Sequence, residues 1–450
     1  MYCRIGVAQV LPVALALLPL AYLIRMCVLR YVDVPLWDAW EMVPRLDHLY
    51  AGSLTLRDLW GQHNEHRPMV AIALMLALAR LTRWNTNWEI VVTVLLTTSI
   101  FAAFAAFVRR AWRSHGGAPL WLLPAISLLV FSPVQWENLM WGFPMHIIMC
   151  ALATLLAADS VAFLGVRQRG LGRALVCAVW ATYSFASGLL LWPVLAVGIA
   201  VVGGPRRRSR LVLWAAAAAI TYATYFYDYH RPPQPSMLGN FASLHAIRIF
   251  GTYALTYLGS PIAGFDPRIA AAAGAVGLAA FAALAVRLRH LREDPAYLFP
   301  ILVGLQTLVT ALVSAMGRAW MGADQALASR YTTLSIPMWC ALACLSVLWR
   351  SVAPADLRGR ALTAVTVSLL VATLASAFAT ERDGVHIVAG RSETLRFARR
   401  GLITGRSDAL LGLLYPNVPV LRERRATLMR LRLSVFRPSD RPTYPLPGEP

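Results

Sequence analysis

Residues 69–110 read MVAIALMLALARLTRWNTNWEIVVTVLLTTSIFAAFAAFVRR, and the two apolar runs in this stretch differ in length. The second, residues 88–108, is long enough to cross a bilayer and ends on Arg109 and Arg110. Positive residues at such a helix end hold it on the cytoplasmic side. The first, residues 69–81, is only about two-thirds of a spanning length, so it reads as a half-inserted or juxtamembrane helix. Counted as a full span, it would put Arg109 and Arg110 outside, against the positive-inside rule. The segment upstream of residue 69 therefore faces outward.

Working outward from this stretch, residues 7–29 form an uncleaved first helix, since no small-residue cleavage site leads into a soluble domain. Downstream, apolar runs at 119–131, 145–164, 171–185, 189–202, 211–227, 268–286, 297–316, 332–349 and 362–380 alternate in direction. Residues 245–258 are amphipathic and are expected to lie on the outer surface. The result is an all-α polytopic membrane protein of roughly eleven spans, with its N-terminus inside and its C-terminus outside. Residues 1–380 form the membrane domain, with a first outer loop over 30–87. Residues 381–450 form an Arg-rich tail too short and polar for a sizeable core of its own. The tail is expected to pack on the outer face, with its last residues disordered. No repeat of transporter type is apparent.

Composition agrees with this class. Hydrophobic residues make up 58% of the chain and charged residues 14%, with a mean hydropathy of +0.57, whereas soluble domains carry about a quarter charged residues. The formal charge of +20 sits mostly in clusters between apolar runs, such as Arg206, Arg207, Arg208 and Arg210, or Arg287, Arg289 and Arg292. That pattern speaks for membrane topology and against nucleic acid. The chain has no lysine, which excludes a Schiff-base lysine and a phosphate-binding loop ending in Gly-Lys-Ser/Thr. The six cysteines form no CxxC pair, and they read as space-filling rather than as disulfides or metal ligands.

Four polar islands converge on the outer side by topology. The first is DVPLWDAWEMVPRLDHLYAGSLTLRDLWGQHNEHRP, residues 33–68, with Asp33, Asp38, Glu41, Asp47, Asp58, Glu65, His66 and Arg67. The second, SPVQWENLMWGFP at 132–144, places Glu137 and Asn138 between tryptophans. The third, residues 227–240, holds Asp228 and His230. The fourth, GRAWMGADQALASRYTT at 317–333, holds Arg318, Asp324, Arg330 and Tyr331. Ionisable groups at an apolar boundary need partners or water and mark a working site by default. A carboxylate there can act as general base, and an arginine can clamp phosphate oxygens.

A first helix, an outer loop with an early acid, and an acid–base–Pro triplet opening a short apolar helix resemble the GT-C glycosyltransferases. The likeness is to protein mannosyltransferases and lipid A aminoarabinose transferases. Trp37–Glu41 (WDAWE) parallels the family's Pro-Asp-Glu, and Asn64-Glu65-His66-Arg67-Pro68 parallels its Phe-Glu-Lys-Pro. Asn-Glu-His-Arg, Gln-Trp-Glu-Asn and Ser-Arg-Tyr are similar to patterns in bacterial GT-C-like proteins. Ala39 stands where the family has the second acid of its Asp-Glu pair, and His66 is inserted relative to its Glu-Lys-Pro. The resemblance implies a polyprenyl-phosphate sugar donor, an inverting single displacement and a bacterial inner-membrane location with the site facing the exterior. By position it gives Asp38 the catalytic role and Arg67 the phosphate contact, with Glu65 holding Arg67 or the acceptor.

Each of these residues has a plainer reading. Asp38 could cap a helix or sit in water, and Asp33 competes with it for the catalytic role while it could equally cap the preceding helix. His63 and His66 are spaced i, i+3 beside Glu65, so a divalent metal is left open although no cofactor is obligatory. Glu137 and Asn138 would bind donor or acceptor, or belong to an interfacial aromatic belt. Arg330, Arg318 and Tyr331 would contact phosphate, or the arginines would snorkel. The expected activity is sugar transfer to a lipid, glycan or protein acceptor. The rivals are a flippase for lipid-linked sugars and a non-catalytic assembly partner.

Overall fold

The computed structural model describes residues 7–164, 170–231, 233, 243–263, 266–353 and 357–438. Cys3, Arg167, Arg169, most of the proline-rich 231–235 segment and the residues from 439 onward lie outside them. The described chain is helical. The first helix is α1 (Val7–Arg30), and short helices α2 (Val43–Ala51) and α3 (Leu56–Trp60) form the first loop. Then follow α4 (Met69–Thr82), α5 (Asn87–Ala111), α6 (Leu122–Val130), α7 (Trp136–Met140), α8 (Met145–Ala162), α9 (Gly170–Thr182), α10 (Leu191–Val202) and α11 (Arg207–Phe226). The second half comprises α12 (Leu244–Gly259), α13 (Pro267–Arg287), α14 (Pro295–Arg318), α15 (Ser329–Val352), α16 (Leu357–Thr404), α17 (Asp408–Gly412) and α18 (Val418–Leu431).

Among the described residues, six helical stretches are long and apolar enough to cross a membrane: Val10–Arg30, Asn87–His115, Met145–Ala162, Pro267–Arg287, Pro295–Met321 and Ser329–Val352. The chain is thus a multi-pass helical membrane protein. The sequence counts about eleven runs; those at 119–131, 171–185 and 189–202 become helices that stop short, whereas those at 211–227 and 362–380 fall in the longer α11 and α16, which are not among the six. Met69–Thr82, Gly170–Thr182 and Ala186–Val202 are apolar but shorter. The nine residues of α6 rise only roughly 14 Å before Ser132 and Pro133 turn the chain.

Centre and rim of the bundle are set by how completely each helix is apolar. In α8 and α15, 94% and 89% of the spanning window is buried, against 28% in α1 and α13. A helix apolar on every side is stable only when surrounded, either by protein or by lipid. Where α12 meets α13 the backbones nearly touch: a Cβ on Gly259 would stand 1.8 Å from the Ala270 carbonyl oxygen, and one on Gly274 2.0 Å from that of Leu255. Small residues make such close helix contacts. At the end of the bundle carrying the arginine clusters, Arg110 pairs with Asp159, and His115 Nε2 lies 2.8 Å from Asp294.

A second core caps the opposite end. It joins Trp40, Leu46, Ile72, Met75 and Trp84 of the first loop and α4 to Leu402, Leu411, Leu414, Leu421, Leu428 and Leu433 of the tail. The buried residues of α4, Ala71, Ile72, Met75, Leu76 and Ala79, lie on one helical face turned into this cap. Among the described residues, three ion pairs tie loop to tail: Asp33–Arg437, Glu41–Arg424 and Asp47–Arg430. The tail therefore builds part of a shared core. It begins as the continuation of α16, which runs unbroken through residue 381.

Candidate active site

Where cap meets bundle, a cavity of about 590 Å³ collects residues from three of the four polar islands and from the tail. The first loop contributes Trp37, Asp38, His63, Asn64 and His66, and the second island and the start of α8 contribute Trp141, Phe143 and His146. Arg318, Arg330 and Tyr331 complete it from the fourth island, and Tyr415, Pro416 and Asn417 from the tail.

Asp38 sits in a single 3₁₀ turn, Trp37–Met42. Trp40 anchors that turn: its ring is fully buried and its indole N–H donates to the Pro35 carbonyl at 3.0 Å. With Trp40 pointing into the cap, Asp38 faces the cavity, 47% of its side chain exposed and Oδ2 3.5 Å from His63 Nε2. Burial works to raise the Asp38 carboxyl, but His63, with Arg330 beyond it, outweighs burial and holds it below its ordinary range. Asp38 is therefore an ionised, reachable carboxylate.

His63 to His66 close on themselves, each backbone N–H donating to the other residue's carbonyl at 2.8 and 2.9 Å, with Asn64 at φ +50° in the tight turn. The turn sends His66 inward to stack on Phe185, centroids 3.9 Å apart. The Ala186 N–H donates to His66 Nδ1 at 3.2 Å, which leaves the ring proton on Nε2, 3.5 Å from Glu65. Burial pushes the His66 ring down to about 3 against the pull of Glu65, so it is neutral at neutral pH. Burial raises the Glu65 carboxyl, but the His66 ring and the Arg318 guanidinium outweigh it and hold the group at about 2. With His66 neutral, Arg318 is the lasting counter-charge, and it pairs directly with Glu65.

The arginines of the site divide by how fully they are engaged. Arg318 binds Glu65 and the Tyr331 hydroxyl, which also accepts from Gln325 at 3.0 Å. Arg330 is looser. Its Nη1 lies 3.4 Å from Glu137, its guanidinium stands 5.4 Å over the Tyr331 ring, and 35% of its side chain is exposed. Its remaining donors are turned to no protein acceptor among the described residues.

A second, largely apolar cavity of about 380 Å³ lies against the first. Leu189, Leu190, Phe226, Val313 and Met316 line it, and the third island enters through Tyr229. His66, Phe185, Arg318 and Tyr331 border both cavities. Glu65 lines the second cavity and not the first.

Several expected residues have other tasks. Arg67 is not placed as the phosphate contact. It is 2% exposed, and its three nitrogens donate to the carbonyls of Tyr225 (2.7 Å), Trp60 (2.8 Å), Tyr227 (2.7 Å) and Asp228 (3.0 Å). It staples the first loop to the end of α11, and Glu65 pairs with Arg318 instead of with it. Asp33 lies outside the cavity, accepting from the Thr86 amide at 3.0 Å and pairing with Arg437. Glu137 and Asn138 are buried behind it. Glu137 accepts the Arg330 amide at 3.0 Å, and Asn138 donates to the Arg330 carbonyl at 2.9 Å and to Thr333 at 2.6 Å, so they hold Arg330 from below.

His63 and His66 diverge, one toward Asp38 and Phe143, the other onto Phe185. Among the described residues no group of three or more His, Cys, Asp or Glu is arranged to hold a metal ion. Sequence reading missed Trp37, His146, Phe185 and the Tyr415–Asn417 segment. Trp37 lies inside the WDAWE stretch, but nothing local in the tail sequence points toward the cavity. No family model matches the chain, and searches of the curated proteins and of the solved structures return no match.

Proposed function

We propose that the protein transfers a sugar from a polyprenyl-phosphate donor to a hydroxyl or amine acceptor, as a GT-C-type glycosyltransferase of a bacterial inner membrane. The observation that carries this reading is the pair of cavities meeting at His66, Phe185, Arg318 and Tyr331. Such a donor is apolar at one end and polar at the other, with phosphate between. The apolar cavity suits the isoprenoid next to the phosphate. The polar cavity suits the sugar, with Trp37 and Trp141 (centroids 5.1 Å apart, edge to face) as apolar walls for its ring.

In this reaction the acceptor oxygen or nitrogen attacks the anomeric carbon as the bond from that carbon to the phosphate oxygen breaks. The bonding pair stays on the phosphate, and the acceptor proton passes to Asp38. Asp38 suits the base role because it is ionised and reachable, with His63 beside it to hold its orientation. Arg330 suits the phosphate because its donors are turned to the cavity, and Arg318 adds charge at the junction. Attack opposite the leaving group inverts the anomeric carbon.

The test uses purified protein, radiolabelled polyprenyl-phosphate sugars and total membrane extract, comparing wild type with Asp38→Asn. Label passing to a new product with wild type alone supports the reading. Equal transfer by both proteins removes Asp38 from the base role. Absence of transfer by wild type with every donor, together with movement of labelled lipid across vesicles, replaces the reading with a flippase.

A further inference from the structure

The turn that carries Asp38 begins with a residue in an unfavourable backbone conformation. Trp37 has φ +47°, the left-handed region that bulky side chains rarely enter and keep only where surrounding contacts over-determine it. Three contacts do so here, and two come from the far end of the sequence. The Trp37 amide donates to the Leu414 carbonyl at 2.7 Å. The Arg391 guanidinium, on α16, stands 4.9 Å from the Trp37 ring centroid and 5.2 Å from that of Trp136. Trp141 meets the Trp37 ring edge-on at 5.1 Å. At the other end of the same turn, Glu41 receives both Arg424 Nη atoms at 2.9 Å and the Tyr415 hydroxyl.

We infer that the C-terminal segment is the positioning device of the catalytic turn, with Arg391 clamping Trp37 against Trp136 so that the adjacent Asp38 is aimed at the acceptor. The inference rests on the transferase reading of Asp38. Arg391 lines neither cavity and touches no reacting atom; it is a positioning residue. Cation–π attraction to two rings needs a cation at that place. Without it the left-handed Trp37 has lost one of the contacts that hold it, and Asp38 samples other directions. Misplacing a reacting group by about 1 Å is enough to slow chemistry roughly a hundredfold.

The experiment compares full-length wild type, Arg391→Ala and Arg391→Lys in lipid nanodiscs, by transfer kinetics and by hydrogen exchange of the peptide covering residues 37–42. Arg391→Ala should lower kcat by roughly tenfold to a hundredfold with the donor KM unchanged. It should also speed exchange at residues 37–42 while α8 and α15 keep their protection. Arg391→Lys, which keeps the cation, should recover most of the rate and of the protection. Unchanged exchange at 37–42 in Arg391→Ala overturns the clamp and leaves the transferase reading standing. So does faster exchange with unchanged kcat. A wild-type protein that transfers nothing overturns the transferase reading, and the positioning role with it, whatever the exchange shows.

Discussion

In the bundle, α8 and α15 are buried along 94% and 89% of their spanning windows, and most of the side chains they bury are apolar. In the cap, leucines of the tail and tryptophans of the first loop share a core, but ion pairs and side-chain bonds to carbonyls decide how the pieces meet. The two regions place charge by opposite rules. The bundle keeps its charged groups at its ends, with Arg110–Asp159 and His115–Asp294 at one of them. Where the cap meets the bundle, Asp38 and Glu65 of the first loop stand with Arg318 and Arg330, from the ends of α14 and α15, around two cavities. A bundle assembled from apolar surface tolerates many sequences, whereas the cap depends on individual donors and acceptors.

This contrast can be broken at single residues, and the largest effect belongs at Asp38. Asp38→Asn should lower the transfer rate by about a hundredfold or more without moving the melting temperature. A retained rate would take the chemistry out of the cap. Arg330→Ala should lower kcat/KM by about a hundredfold, again with normal folding, because this arginine is only loosely engaged by protein. Arg67→Ala tests the opposite case. Its buried guanidinium satisfies four carbonyls, so its loss should destabilise the protein by about 3 kcal/mol. Transfer per folded molecule should hold. A catalytic defect in folded Arg67→Ala would restore it to the phosphate.

Acid should loosen the cap before the bundle. The His66 ring stands at about 3 when folded, against an ordinary 6.5. Between these values the unfolded chain binds the extra proton, so stability falls as pH drops from 6.5 toward 3. Glu65 acts with the same sign at lower pH. Its folded value of about 2 lies below the ordinary 4.5, so its contribution is complete above 4.5 and is lost as pH falls toward 2. Melting temperatures measured between about pH 7 and about pH 5 should fall, and His66→Gln should flatten that slope; a slope kept in the variant assigns it elsewhere. The smallest effect is expected at Asp47–Arg430, whose side chains are 37% and 59% exposed. Asp47→Asn should change stability by less than about 0.5 kcal/mol.

Reading along the chain is enough for the helical membrane class, because a bilayer demands long apolar runs and each run carries its own signal. Residues 88–110 need no partner to be recognised, and the short α4 announces its departure from a full span by its length alone. The sequence expects the polar islands to converge, and Asp38, His66, Arg318, Arg330 and Tyr331 do line one cavity. What each ionisable group does there was not legible. Arg67 and Arg330 look alike in sequence, one before a proline and one before a tyrosine. Only the fold turns Arg67 into a buried staple and leaves Arg330 with donors facing open volume. The tail hides its role for the same reason: Arg391 lies more than three hundred residues from Trp37 along the chain. Hydrophobic patterning is local and additive, so sequence alone determines the class and the outlines of the bundle. Hydrogen bonds and ion pairs are short-ranged and directional, so which of them form is decided only when distant segments are packed side by side.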